Sequence, residues 1–231
     1  MIDWEKIKSV DNNLYCYSLC VQDNKIVCSR AYYHSNKFIQ GYNLNKLLNN
    51  LISSGLARCF SYGKDIDADY LKYDLHIYPA DTKKVYTHLK RIRFFDLKKI
   101  NFFYEISHLF NFKFFNRTIG AKVSLNNSLQ NLCIYFSNSE KLGLSDCKFF
   151  LQKLCKEFGL SENFRVPYNT SDCWLYIIAF DFSFSEFKLK FYIECGENFK
   201  RGDLLTLFLG SPSYEIVCDI ANTNAIVRGF Q

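Results

Sequence analysis

Along much of the chain, apolar and polar residues alternate one by one, the period of a strand with two unlike faces. In 187–193, Phe187, Leu189, Phe191 and Ile193 fall on one side, and Lys188, Lys190 and Tyr192 on the other. In 71–78, Leu71, Tyr73, Leu75 and Ile77 oppose Lys72, Asp74, His76 and Tyr78. Such runs come in pairs around short turns rich in Asn, Asp and Ser, which is a hairpin signal. Five pairs are read: 14–34, 57–78, 118–137, 174–194 and 214–230.

Between the hairpins the period changes. Leu44, Leu47, Leu48, Leu51 and Ile52 mark one face of a helix over 43–54. Cys147, Phe150, Leu151, Leu154, Cys155 and Phe158 do the same over 145–158, with Ser145 as N-cap and Gly159 past the end. Residues 81–112 read as two helices capped by Asp81 and Asp96, a short helix follows Asp203, and 3–10 is a helical turn or two. Five helix-hairpin repeats make an α+β fold. The expected architecture is a ten-stranded antiparallel β-barrel, helices outside, with a ligand-sized lumen, because ten strands enclose more space than the eight whose side chains just fill a barrel. The chain is read as a single domain over 1–231, with no Gly/Ser-rich linker.

Composition adds little against this. The 231 residues include 23 Phe and 16 Tyr, which favours strands, and a net charge of +6. Ten cysteines without paired zinc-ligand spacing read as reduced thiols of a cytoplasmic protein. No apolar run is long enough for a membrane helix, and no membrane partner is expected. A monomer is expected.

Aligning the second strand of each hairpin gives one slot followed two residues later by an aromatic. The slots are Arg30, His76, Cys133, Lys190 and Arg228, and the aromatics are Tyr32, Tyr78, Tyr135, Tyr192 and Phe230. Converging cations suit a diphosphate, and electron-rich rings suit a carbocation kept from water. Both needs meet when an allylic diphosphate ionises and a nucleophile captures the allyl cation. Strands such as "FKLKFYIE", "LKYDLHIYP" and "LQNLCIYFS", and the stretch "IIAFDFSFSEFKLKFYIE", resemble the ABBA-type aromatic prenyltransferases, most of all the small bacterial cyanobactin-type peptide prenyltransferases.

The resemblance implies an enzyme that moves a dimethylallyl or geranyl group from its diphosphate to a peptide side chain or aromatic small molecule. Arg30, His76, Lys190 and Arg228 would bind the diphosphate. Tyr32, Tyr78, Tyr135 and Tyr192 would shield the cation. Asp74 is the candidate general base, with Asp181 and Glu194 as alternatives. No metal ligand is assigned and no cofactor is required, with room for Mg2+ on the diphosphate. The chain is shorter than typical members of that family, and 35–56 and 195–213 each hold one helix where two belong.

Two other readings stand beside it. One is a cationic, aromatic sheet that grips single-stranded nucleic acid by stacking and phosphate contacts, although a nucleic-acid partner is the less expected outcome. The other is a non-catalytic barrel with a filled core. "DIDAD" (65–69) lacks the glycine and the final glutamate of a calcium loop and reads as a turn. "KRIRFFDLKK" (90–99) reads as a solvated basic face.

Overall fold

The computed structural model describes residues 14–22, 25–34, 45–65, 70–159, 173–195, 204–208 and 213–219. Ten strands are present: β1 (Leu14–Gln22), β2 (Lys25–His34), β3 (Ala57–Asp65), β4 (Tyr70–Ile77), β5 (Phe114–Ser124), β6 (Leu129–Gly143), β7 (Cys173–Ser183), β8 (Phe187–Cys195), β9 (Leu204–Phe208) and β10 (Ser213–Asp219). Each pairs antiparallel with its neighbours in the chain, and β10 pairs with β1, so the hydrogen-bonded order returns to its start.

Four α-helices lie among the described residues: α1 (Lys46–Ser53), α2 (Thr82–Leu89), α3 (Leu97–Leu109) and α4 (Lys148–Glu157), with a 3-10 turn at Pro79–Asp81 before α2. The Asn45 side chain accepts from the Leu47 N–H to start α1, and Asp96 accepts from the Lys98 N–H to start α3. Asp81 precedes α2 without a side-chain cap bond, and Cys147 rather than Ser145 stands at the cap of α4. Gly159 closes α4 at φ 64°, a left-handed conformation that glycine adopts without the Cβ penalty.

The hydrophobic core lies between the helices and the outer faces of β3–β8. Strand alternation sends Tyr73, Leu75 and Ile77 of β4, Ile119, Ala121 and Val123 of β5, Leu132, Ile134 and Phe136 of β6, and Phe180 and Phe182 of β7 to that side. Phe103 of α3 is its centre, with ring centroids 4.6 Å from Phe136 and 5.1 Å from both Phe114 and Phe180. The opposite parity of the same strands points into the ring.

This is not the prenyltransferase barrel of the sequence reading. Among the described residues the helices do interleave with the hairpins, α1 between β2 and β3, α2 and α3 between β4 and β5, and α4 between β6 and β7, and the departure lies at the last hairpin. The helix expected after Asp203 is the strand β9, so the last described hairpin is β9–β10 and β10 closes on β1 rather than on 225–230. The expected lumen fails too. Where β4–β8 line the interior, Asp74, Cys133, Tyr135, Asp181 and Lys190 are each under a tenth exposed. The expected helix at 3–10 lies outside the described residues.

Candidate functional site

The inward side chains of β4–β8 form a belt in register. Asp74 lies opposite Gly120, Gly120 opposite Cys133, and Cys133 opposite Asp181, across four consecutive strands. Thr118 then faces Tyr135, Tyr135 faces Ala179, and Ala179 faces Lys190. The belt is closed to solvent: Asp74 is 1% exposed, Cys133 and Tyr135 2%, Asp181 6% and Lys190 8%. Gly120 leaves the room that the Tyr135 ring occupies. A Cβ there would stand 3.0 Å from Tyr135 Cε2, from the Tyr135 hydroxyl and from Asp74 Oδ1.

Charge within the belt is compensated. The Lys190 ammonium donates to the Asp181 carboxylate, which also accepts from the Asn131 amide. Lys72 Nζ is 3.5 Å from Asp74 Oδ1 and 5.6 Å from the centre of the Tyr135 ring. Lys122 Nζ lies 3.4 Å from the Tyr70 hydroxyl and 4.7 Å from the centre of that ring. Burial of charge is tolerated when each ion has a partner and further hydrogen bonds. The Cys133 thiol sits among these ions. Burial pushes its pKa up to about 12, against the pull of Lys190, so the thiol is neutral.

At the other end of the inward face lies a rim. His76 pairs in register with Arg58 of β3 and Thr118 of β5, and its ring meets that of Tyr78 edge to face at 5.9 Å. Burial, then the Arg117 and Arg58 charges, hold the His76 pKa below the usual histidine value. Tyr78 lies beyond the end of β4 and is 47% exposed, so it shields nothing in the interior. On the outer side of the molecule, a groove of about 530 Å³ runs between α3 and the end of α4, past Lys99, Phe102, Glu105 and Phe158. The Lys99 ammonium lies over the Phe158 and Phe187 rings at 5.5 and 5.0 Å.

The residues expected to grip a diphosphate therefore part company. Lys190 is committed to Asp181, and His76 stands at the rim. Arg30 and Tyr32 lie on one face of β2, opposite Ser18 and Cys16 of β1, and Tyr192 lies on β8 opposite Ile177. Glu194 lies opposite Trp174. Arg228 and Phe230 lie outside the described residues. Asp74 and Tyr135 are both buried, at 1% and 2% exposed. The allylic donor, the peptide or aromatic acceptor and the transferase assignment fall with that closed lining. The nucleic-acid alternative loses two of its inward cations, because Lys72 and Lys190 are set against Asp74 and Asp181, while Lys188, 41% exposed, pairs with Glu186.

Aligning second strands alone leaves out Gly120 and leaves Asp181 as an alternative base instead of the partner of Lys190. Asp181 and Gly120 sit on the first strands of their hairpins, at inward parity beside Lys190 and Cys133. Pairing both strands of the β7–β8 hairpin sets Asp181 beside Lys190, while the partner of Lys72, Asp74, lies on its own strand. Among the described residues, no three His, Cys, Asp or Glu side chains converge as a metal-ligand set. No protein-family model matches the chain, and no curated protein matches it.

Proposed function

We propose that the protein is a non-catalytic barrel module whose inward ions hold the fold and whose partners dock on its outer surface. The observation that carries this is the belt itself: Asp74, Cys133, Tyr135, Asp181 and Lys190 are all under a tenth exposed, with the acids and bases set against one another. A substrate site keeps room beside its reactive groups, typically a concavity with a few polar groups left to face the ligand. Here those groups face each other.

The Cys133 thiol reports on the belt directly. Pulsed alkylation of the native protein with N-ethylmaleimide, mapped by peptide mass spectrometry, should leave Cys133 unmodified until urea unfolds the chain. Modification in native buffer, at a rate independent of unfolding, would show that the belt opens to small molecules and would end the structural reading.

A further inference from the structure

The basic run at 90–99 has a place in the fold that its sequence does not show. Residues 90–96 form the tight connection from α2 to α3, turned by bonds from Ile92 N–H to Leu89 O (2.8 Å) and from Phe95 N–H to Ile92 O (3.1 Å). Phe95 is buried against Phe182, at 5.4 Å between ring centroids, and Ile92 packs on the core. These two anchors leave Lys90, Arg91 and Arg93 exposed. Phe94, between them, meets the ring of Phe184 at 4.6 Å and 74°. Phe184 belongs to the turn between β7 and β8, so the connection is pinned to the hairpin end of the sheet.

That end presents bare apolar groups. Phe184 is 68% exposed, and Leu125, in the turn between β5 and β6, is 69% exposed. The two turns neighbour one another, because β6 and β7 pair as far as Asn131 and Ser183. The nearby acids are already engaged: Glu186 pairs with Lys188, and Asp96 caps α3 and lies 3.8 Å from Lys99. Among the described residues, none of Lys90, Arg91 and Arg93 has a carboxylate partner.

We propose that this end of the molecule docks on an anionic lipid surface, with Phe184 and Leu125 entering the headgroup boundary and Lys90, Arg91 and Arg93 facing the lipid phosphates and carboxylates. Protruding apolar side chains beside cations are the pairing that binds such surfaces, since burial of the former adds to attraction of the latter. The geometry favours lipid over nucleic acid. Leu125 cannot stack on a base, and the two phenylalanine rings meet edge to face instead of offering parallel platforms.

The test is co-sedimentation of the full chain with vesicles of phosphatidylcholine alone or of equimolar phosphatidylcholine and phosphatidylserine. The chain should sediment with the second and not the first, and added salt should release it. Arg91→Gln with Arg93→Gln should weaken binding by about thirtyfold, from roughly a fivefold contribution per cation. Phe184→Ser should weaken it several-fold, and both exposed-site variants should melt like the parent. No phosphatidylserine-dependent sedimentation, or parental binding by both variants, would overturn the proposal. Displacement from vesicles by a single-stranded oligonucleotide that itself depends on Arg91 and Arg93 would reassign the surface to nucleic acid and overturn it equally.

Discussion

Lys190 was the clearest cation in the sequence, and its neighbour Asp181 is what gives it meaning. The Lys190 and Asp181 side chains as wholes are 10% and 7% exposed, and the Asn131 amide also donates to the carboxylate. Removing one partner of such a pair strands the other as a buried charge, which costs more than the pair contributes. Lys190→Ala should therefore lower stability by about 3–5 kcal/mol, read as a shift of the urea midpoint. Replacing both, Asp181→Leu with Lys190→Met, should recover most of that loss, since apolar side chains of similar volume often match a buried pair. A Lys190→Ala variant as stable as the parent would mean that the lysine turns to solvent. Parity made the lysine's inward face legible, but its commitment was not, because a side chain's partner on the next strand depends on register.

At the scale of elements, the sequence shows strands best where both faces differ, and worst where they do not. β4 and β8 alternate cleanly and were read within a residue or two. β9, Leu204–Phe208, is an apolar run broken only by Thr206 and preceded by an aspartate, which resembles a capped helix start as much as a strand. Its misreading moved the fifth hairpin along the chain and put Arg228 into a slot that β9 and β10 leave to others. β5 carries a subtler signal, Gly120. Glycine weakens a strand interior unless something approaches closely, and here the Tyr135 ring and the Asp74 carboxylate do. Gly120→Ala should cost about 1–3 kcal/mol, because a methyl group meets atoms at 3.0 Å in a packed interior. The cost should shrink in a Tyr135→Leu background, where the ring no longer occupies the space. Strictly additive losses in urea unfolding would show that the two residues do not share it.

For the whole molecule, the interior combines two kinds of buried group, and they respond differently to pH. Among the described residues, the buried acids Asp74 and Asp181 are paired with Lys72 and Lys190. The neutral ones hold their protons: burial raises the Cys133 and Cys147 thiols from 9.0 to about 12, the Tyr86 phenol well above 10.0 and the Tyr104 phenol above 10.0. Above pH 9 the unfolded chain gives up these protons while the folded chain keeps them. The unfolded state then binds fewer protons, so stability is full below 9 and falls as pH rises toward 12. Each thiol should remove about 1.4 kcal/mol per pH unit in that window, and the two phenols steepen the fall once pH passes 10. Cys133→Ala isolates one contribution. Its stability should fall with pH more gently than the parent's, by about 1.4 kcal/mol per unit, when urea midpoints are compared between pH 9 and 12. Parallel curves for the two proteins would mean that the Cys133 thiol ionises in the folded state. That requires water or a free cation beside it, and so an interior open enough to hold a ligand.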